Sequence, residues 1–161
     1  MGSGKSTFGK ALAEEMGYGF MDLDLETEKL GKATISQIFN EKGEDAFRVL
    51  EQQALKATES LENTVIATGG GTPCFFDNME WMNAQGLTVY LKLFEGELKN
   101  RIIRDMDNRP LLQNVDIVNL DDFIYTKLRE RAYYYHLAKI VIDPLVLEAK
   151  DLAGLLKKNY L

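Results

Sequence analysis

The sequence predicts an α/β fold of three layers, with a central parallel β-sheet between two layers of helices. Short apolar segments alternate with longer segments in which apolar residues recur every three or four positions, as in consecutive βαβ units. The chain opens on a glycine-rich stretch, residues 1–7, that runs directly into such a helical segment. A length of 161 residues fits one domain with a sizeable core, and we predict a single domain over residues 1–161.

Composition and charge exclude several classes of protein. Lys and Arg number 19 against 25 Asp and Glu, and the resulting charge of −6 disfavours wrapping around nucleic acid or binding an anionic membrane. The single cysteine, Cys74, excludes an internal disulfide and favours a reducing compartment. No apolar run approaches the ~20 residues of a membrane span. We therefore expect a monomeric, cytoplasmic protein whose partners are small molecules.

The opening stretch has the pattern of the end of a phosphate-binding loop, G-x-x-x-x-G-K-[ST]. Gly2 and Gly4 let the backbone turn tightly, so that N–H groups point at phosphate oxygens. Lys5 supplies a compact positive charge for the outer phosphates, and the Ser6 hydroxyl can hold Mg²⁺. The leading glycine of the motif, and the strand that feeds such a loop, would precede Met1. The alternative interpretation is a Gly/Ser tag remnant followed by lysine.

Glycines and capping residues set the bounds of the elements in the first half of the chain. Gly17 stops the helix that follows the loop. Thr34 caps a short helix that ends at Gly43, and the strongest helical pattern begins directly after it. A continuous apolar run further on is typical of a buried parallel strand. The elements predicted here are helices at 5–16, 25–30, 34–43 and 44–61, and strands at 19–21 and 65–67.

The second half alternates in the same way, except for one long segment without an element. Residues 105–119 are polar and irregular, and Arg109 precedes a proline within them. A loop of this length inside a compact domain is usually functional, so we predict a mobile lid there, with Arg109 able to swing onto a transferring phosphate. The elements predicted here are helices at 77–83, 96–104, 120–135 and 146–158, and strands at 88–93 and 140–142.

Two short motifs follow predicted strands, at the carboxyl edge where open α/β sheets bind ligands. Asp22 and Asp24 stand two apart in extended chain and share one orientation, so one carboxylate can join a Mg²⁺ shell while the other meets a substrate hydroxyl. The alternative is an acidic turn or a helix cap.

The run Gly69, Gly70 and Gly71 lets backbone approach a ligand closely; the alternative is a flexible surface loop.

An arginine on the strongest predicted helix is a candidate anion-binding group. Arg48 lies one turn before Glu51, which can orient it by an i,i+3 pair. A held guanidinium suits a bidentate grip on a carboxylate. The alternative is a surface ion pair.

Three consecutive tyrosines, Tyr133 to Tyr135, are predicted to pack against other residues rather than to take part in chemistry.

Taken in order, the motifs resemble those of the shikimate kinase family, which has the P-loop kinase fold. The motifs are Gly4-Lys5-Ser6-Thr7, Asp22-x-Asp24, Phe47-Arg48-x-x-Glu51, Gly69-Gly70-Gly71, Arg109-Pro110-Leu111-Leu112 and Arg131-x-x-x-Tyr135. Each is weak alone, but the set covers nearly the whole chain at family-like spacing. The resemblance implies a P-loop kinase domain in which 25–61 form the substrate-binding helices and 105–119 the lid. It also implies transfer of the γ-phosphate of ATP to the 3-hydroxyl of shikimate, with Mg²⁺ as cofactor.

The resemblance also implies roles for individual residues. The catalytic residues would be Lys5, Asp24 as the base, and Arg109. The metal would be held by Ser6 and Asp22. The contacts to shikimate would come from Asp24, Phe39, Phe47, Arg48, Glu51, Gly69, Gly70, Gly71 and Arg131, with Arg48 and Arg131 holding the carboxylate. The contacts to ATP would come from Gly2, Ser3, Gly4, Lys5, Ser6, Thr7, Arg109, Pro144 and an arginine before the lid that stacks on adenine, for which Arg101 and Arg104 both qualify.

Two other functions remain open. A related kinase for gluconate or for a nucleoside monophosphate would share the phosphate loop, and gluconate also carries a carboxylate. The full set of motifs disfavours gluconate, and the sequence offers no base-reading pocket beyond the adenine candidates. A catalytically silent nucleotide-binding homologue is the third possibility, and the presence of Lys5, Asp24 and Arg109 disfavours it.

Overall fold

The structure is a computed structural model that describes residues 2–104 and 120–160. The helices are α1 (Lys5–Met16), α2 (Leu23–Gly31), α3 (Ile35–Lys56), α4 (Asn78–Gln85), α5 (Glu95–Arg104), α6 (Leu120–Tyr135) and α7 (Ala149–Asn159). The strands are β1 (Gly19–Asp22), β2 (Thr64–Ala67), β3 (Val89–Leu91) and β4 (Ile140–Ile142). Short 3-10 turns lie at Ala57–Ser60 and Thr72–Cys74. Within the described ranges, no helix is long and apolar enough to cross a membrane.

The four strands are parallel, as predicted, and form two pairs. β1 pairs with β2, from Gly19 opposite Thr64 to Asp22 opposite Ala67. β3 pairs with β4 in the same sense. Because the strands of a pair run in one direction, Asp22 and the glycines that follow Ala67 emerge at the same edge, where α/β sheets bind ligands.

A cavity of about 630 Å³ lies between the two pairs of strands. Its walls are largely apolar side chains of α1, β2, β3 and α7, among them Leu12, Val65 and Leu91. It also reaches Ser3 and Lys5 of the phosphate loop. Among the described residues, hydrogen bonds do not join the two pairs. Within the described residues the strands therefore form two separate two-stranded sheets, with the cavity next to the phosphate loop between them.

Three clusters of buried side chains hold the layers together. The first joins α1 to β3, β4 and α7, the second joins α5 to α6, and the third joins α2 to the second half of α3. Leu152, Ile102 and Leu23 are almost completely buried in these three clusters, in that order. Apolar burial of this kind is the main favourable term for folding. The clusters fix the elements from which the candidate site residues project.

Local signals account for several helix bounds. Gly17 has a φ of 71°, in the left-handed region, and ends α1. The Thr34 hydroxyl accepts from the backbone N–H of Gln37 in a capping box that starts α3. Gly43 has φ 82° and ψ 174°, which breaks α3 into two helical halves. This break confirms the predicted boundary between two helices at Gly43.

Several predicted bounds are wrong; β3, for example, ends at Leu91 rather than at residue 93, and α4 ends at Gln85 rather than at residue 83. α2 starts at Leu23 rather than at residue 25, because the Asp22 side chain already caps it. The second half of α3 ends at Lys56 rather than at residue 61, and a 3-10 turn follows. α7 starts at Ala149 rather than at residue 146, because the backbone N–H groups of the residues before it bond to the Asp143 carbonyl in a turn.

Candidate active site

The phosphate loop precedes α1 in a conformation that requires glycine. Gly2 has a φ of 59° and Gly4 a φ of 79°, which residues with a Cβ rarely adopt. Gly4 is the N-cap of α1, so the positive end of that helix faces the loop. Ser3 is buried, whereas Ser6 and Thr7 are exposed. The loop can therefore present backbone N–H groups to an anion.

The Ser6 hydroxyl and the Asp22 carboxylate lie side by side. Ser6 Oγ donates to Asp22 Oδ2 at 2.6 Å. Ser6 stands in the first turn of α1 and Asp22 at the end of β1, so the parallel strand and the helix bring the two together. Two adjacent oxygen groups suit Mg²⁺, which takes few protein ligands and completes its shell with water and phosphate oxygens. The donor set thus fits the predicted metal.

The prediction that Asp22 and Asp24 share one orientation in extended chain is wrong. Asp22 is extended, but Asp24 already lies in the first turn of α2. The chain turns between them because Asp22 Oδ1 accepts from the backbone N–H of Asp24 at 3.1 Å. The alternative interpretation of a helix cap therefore holds for Asp22, whose second oxygen still reaches Ser6.

Asp24 has the surroundings of a general base. Burial is the largest cause that raises the pKa of its carboxyl, from 3.8 to about 6. The charges of Asp22 and Glu51 also raise this pKa, and Lys5 lowers it. A Cβ placed on Gly69 would lie 3.1 Å from Asp24 Oδ1, so the carboxylate abuts the glycine run. A group with a pKa near 6 is ionised at about pH 7.5 and can accept a proton from a hydroxyl.

Arg48 is held in a buried hydrogen-bonded cluster. Its Nη1 donates to Glu51 Oε2 at 2.8 Å, which is the i,i+3 pair expected from the spacing. Glu51 Oε1 accepts from the Thr72 hydroxyl at 2.6 Å. Arg48 is 4% exposed, Glu51 1% and Thr72 0%. The alternative of a surface ion pair therefore does not apply to Arg48.

A second carboxylate also contacts Arg48. Glu44 Oε1 accepts from Arg48 Nε at 3.2 Å and from Nη2 at 2.9 Å. In contrast to Glu51, the Glu44 side chain is 50% exposed. Glu44 is the first residue after Gly43, at the start of the second half of α3. The guanidinium is thus shared between a buried and a solvent-exposed acid.

Aromatic rings pack around the same guanidinium. The Phe75 ring centroid lies 4.2 Å from Arg48 Cζ and the Phe47 centroid 5.0 Å from it, which are cation–π distances. Phe39 packs against Phe47 with centroids 4.7 Å apart. Phe39 and Phe47 were predicted to pack against a substrate ring. They pack against each other, and Phe47 lies next to Arg48.

Side chains of other elements pack closely against the glycine run. A Cβ on Gly71 would lie 2.6 Å from Arg48 Nη2, and one on Gly69 would lie 2.8 Å from Glu51 Oε1. Real Cβ atoms do not approach this closely, so a side chain at either position would displace the cluster. The Gly70 carbonyl accepts from the Tyr135 hydroxyl at 2.6 Å, which ties the run to the end of α6. The flexible-loop alternative is therefore wrong.

Arg131 approaches the same region from α6. Burial raises the pKa of the Tyr135 hydroxyl, and Arg131 opposes this rise through its charge and a side-chain hydrogen bond. Burial likewise raises the pKa of the Cys74 thiol, and both Arg131 and Arg48 act against that rise. The two arginines predicted to hold one carboxylate are therefore both close enough to Cys74 to act on the pKa of its thiol.

The remaining candidates are placed less centrally. Arg101 lies against the phosphate loop, where its Nη1 reaches the Ser3 carbonyl at 3.4 Å and its Nε donates to Glu97 at 2.9 Å. Arg104 ends α5, and its side chain lies outside the described part of the structure. Pro144 is half-buried in the turn after β4. The predicted lid, 105–119, and Arg109 within it lie outside the described residues.

Sequence reasoning assigned no role to several residues that contact the candidates. Thr72 directly follows the glycine run, yet its bond to Glu51 joins positions 21 apart in sequence and has no local signal. Tyr135 was expected only to pack, although its hydroxyl bonds the glycine run. No sequence pattern pointed to Phe75. Glu44 could have been found, because a Glu four residues before an Arg on a helix is a recognisable ion pair.

Comparisons with known proteins agree on one family. The family model described as shikimate kinase matches residues 1–156. A shikimate kinase from Phocaeicola vulgatus is 45% identical over 93% of this chain and 86% of its own length. One from Parabacteroides distasonis is 46% identical over 89% of this chain and 83% of its own.

Solved structures agree as well. A shikimate kinase from Bacteroides thetaiotaomicron superposes with a TM-score of 0.87 at 37% identity, over 98% of this chain and 92% of that one. A shikimate kinase from Acinetobacter baumannii in complex with shikimate gives the same TM-score and identity, over 100% of this chain and 90% of that one. The P-loop kinase fold expected from the sequence is therefore confirmed, and the chain belongs to the shikimate kinase family.

Proposed function

We propose that this chain transfers the γ-phosphate of ATP to the 3-hydroxyl of shikimate, giving shikimate 3-phosphate and ADP. The observation that carries the proposal is the arrangement around the glycine run. Asp24 and the Arg48–Glu51 pair both abut Gly69–Gly71, and Asp24 is coupled electrostatically to Lys5 of the phosphate loop. A base, an anion-binding group and a phosphate loop in one place suit phosphoryl transfer to the hydroxyl of an acid. Family membership and the shikimate complex of the Acinetobacter baumannii relative support it.

The acceptor would be held by its carboxylate and its hydroxyls. Arg48 and Arg131 offer charged donors for the carboxylate, and Glu51 keeps the Arg48 guanidinium oriented. Phe39 and Phe47 would pack against the ring. Asp24 would accept hydrogen bonds from the hydroxyls and take the proton of the attacking one. The direction of its pKa shift, set mainly by burial, matches that role.

The donor would be held at the other side of the site. Backbone N–H groups of residues 2–7 would surround the phosphates, and Lys5 would contact the outer ones. Ser6 and Asp22 would hold Mg²⁺, which when bound neutralises charge that develops on the phosphate oxygens. Arg101 would be one adenine candidate, because its side chain lies against Ser3 and Gly4. Arg104 and Pro144 remain candidates for the same surface.

The wider organisation is also proposed. Residues 1–161 would act as one monomeric P-loop kinase domain in the cytoplasm, with 25–61 as the substrate-binding helices and 105–119 as a lid. Arg109 would close onto the transferring phosphate and stabilise its charge. Lid closure would exclude water and so suppress hydrolysis of ATP without acceptor.

The test is a coupled assay of ADP release with ATP and Mg²⁺. Parallel reactions would contain shikimate, gluconate or no acceptor. We expect ADP release that depends on shikimate, with gluconate no better than the blank, because Phe39 and Phe47 would pack against a ring, which gluconate lacks. Equal or greater release with gluconate would replace shikimate by gluconate as substrate. Absence of release with every acceptor, while ATP still binds, would favour a catalytically silent nucleotide-binding protein.

A further inference from the structure

The Arg48 guanidinium has two acidic partners with very different surroundings. Glu51 takes Nη1 and is itself fixed by the Thr72 hydroxyl, in a buried position. Glu44 takes the fork formed by Nε and Nη2, at 3.2 and 2.9 Å, through a single oxygen. That fork is the one through which an arginine commonly grips a carboxylate with two parallel hydrogen bonds. One partner is therefore built into the core, and the other stands on the solvent side.

Of the two acids that bond the guanidinium, only Glu44 is in contact with solvent. The Arg48 side chain is 5% exposed, whereas the side chain of Glu44 is 50% exposed. Gly71 presses against the guanidinium, and Phe75 stacks on it at 4.2 Å. A ligand carboxylate that binds the Nε and Nη2 donors must therefore displace the exposed acid and not the buried one.

We propose that Glu44 is an intramolecular stand-in for the carboxylate of the substrate. It pairs with the Nε and Nη2 fork of Arg48 in the ligand-free protein, and the substrate carboxylate displaces it on binding. The inference rests on the proposed function, since it takes the acceptor to be an acid that binds Arg48. Glu51 takes only Nη1, so without Glu44 the Nε and Nη2 donors of a buried guanidinium would have no acceptor before the substrate binds, which is costly.

The position of Glu44 favours its release. Gly43, with φ 82° and ψ 174°, separates the two halves of α3, and a Cβ at Gly43 would meet nothing within 4 Å. Glu44 opens the second half, where the positive end of the helix favours an acidic side chain. A Glu44 carboxylate displaced into solvent would therefore remain near a helix end that favours negative charge.

The consequence concerns specificity. A ligand can bind the Nε and Nη2 fork only if it binds Arg48 more strongly than Glu44 does. A neutral group makes weaker hydrogen bonds to a guanidinium than a carboxylate does, so it cannot displace Glu44. Glu44 would thereby select acids over neutral polyols of similar shape. It would also weaken the affinity for every acid by the fraction of protein in which the fork is occupied.

The test compares Glu44→Gln with Asp45→Asn. The first substitution keeps the length of the side chain but removes its charge, while Asp45 is the next residue and is exposed. The second variant therefore removes the same charge near the site without touching Arg48. Calorimetry would measure the Kd of shikimate, of ATP, and of cyclohexene-1-carboxylate, which has the carboxylate and ring but no hydroxyls.

The expected result is a Kd for both carboxylates that falls about two- to fivefold in Glu44→Gln relative to Asp45→Asn, the scale of an exposed ion pair, with the Kd of ATP unchanged. An unchanged or higher Kd for the carboxylates would overturn the proposal and make Glu44 a residue that only orients Arg48. If wild-type protein bound cyclohexene-1-carboxylate but not shikimate, the proposed function would fail while the comparison of the two variants still decided the role of Glu44. No binding of either carboxylate to any of the three proteins would overturn both.

Discussion

Arg48 and Ser6 stand on opposite sides of the site and in opposite surroundings. Arg48 is 4% exposed and bonds two acids, one of which is tied to Thr72. Ser6 is exposed, and its hydroxyl bonds the half-buried Asp22. The acceptor side is thus part of the folded core, while the phosphate side is a surface loop that a nucleotide would complete. Changes on the first side should affect stability and acceptor binding together, and changes on the second should affect nucleotide binding alone.

Asp24 lies between the two sides, and its replacement should have the largest effect on turnover. Asp24→Asn removes the proposed base, so we expect kcat to fall by about 10²- to 10⁴-fold. In wild-type protein the pKa near 6 implies that kcat/KM rises with pH through about 6, as Asp24 loses its proton. Initial rates between about pH 5 and 8 would measure both effects. Near-normal turnover of the variant would remove Asp24 from the mechanism.

The same substitution should stabilise the fold at neutral pH. The folded-state pKa lies above the ordinary value of 3.8, so the native state binds more protons than the unfolded state between about pH 4 and 6, and stability falls as pH rises through that window. Above about pH 6 the ionised carboxylate is destabilising, and asparagine relieves this by about 1–2 kcal/mol. Urea unfolding at about pH 7.5 would measure the gain, with Asp151→Asn on the exposed face of α7 as control. A lower stability of Asp24→Asn would contradict the assigned cause of the pKa shift.

Glu51→Gln and Ser6→Ala test the comparison directly. Glu51→Gln leaves a buried guanidinium with only an exposed counter-charge, so we expect the free energy of unfolding to fall by about 3 kcal/mol and shikimate binding to weaken. Ser6→Ala should change stability by less than about 0.5 kcal/mol and raise the KM for MgATP. Chemical unfolding and steady-state kinetics would measure both. Similar losses of stability in the two variants would contradict the distinction between an acceptor side that belongs to the core and a phosphate side that does not.

Gly71→Ala isolates the steric part of the acceptor side. The φ of Gly71 is −89°, so alanine fits the backbone, but its Cβ would lie 2.6–2.8 Å from the Arg48 guanidinium. We expect the guanidinium to shift and the KM for shikimate to rise about tenfold with the KM for ATP unchanged. Gly96→Ala in α5, where a Cβ meets nothing within 4 Å, is the matched control. Equal effects of the two substitutions would mean that the close approach to Arg48 has no consequence.

Among these substitutions on the acceptor side, Tyr135→Phe should have the smallest effect on the KM for shikimate. It removes the hydroxyl that donates to the Gly70 carbonyl, so we expect a loss of about 1 kcal/mol in stability and a severalfold rise in the KM for shikimate. Tyr133→Phe, at a residue that is 71% exposed, should change neither quantity. If kcat and the KM for ATP moved as much as the KM for shikimate, Tyr135 would not act through the glycine run.

The parts of the molecule that could be predicted from sequence are those with local causes. Gly17 and Gly43 mark helix bounds because a left-handed backbone favours glycine wherever it occurs. The Arg48–Glu51 pair follows from a spacing of three on one helix. Parallel strands followed from the alternation of elements. The order of the motifs was enough to indicate the family.

The parts that could not be predicted depend on contacts between distant segments. The Tyr135 hydroxyl bonds a carbonyl 65 positions away, and Thr72 bonds a carboxylate 21 positions away. Neither residue type nor spacing encodes those contacts, which arise only when α6 packs against the glycine run and α3 packs against Thr72. The orientation of Asp24 was mispredicted because one hydrogen bond from its own N–H to Asp22 starts the helix two residues early.

The central claim is that the acceptor side is formed before nucleotide arrives. The most direct measurement is calorimetric titration of shikimate into nucleotide-free protein, with Arg48→Ala alongside. The account predicts saturable binding of shikimate by wild-type protein without ATP or Mg²⁺, and loss of that binding in Arg48→Ala. Binding that appeared only after addition of ATP and Mg²⁺, or binding that Arg48→Ala retained, would contradict it.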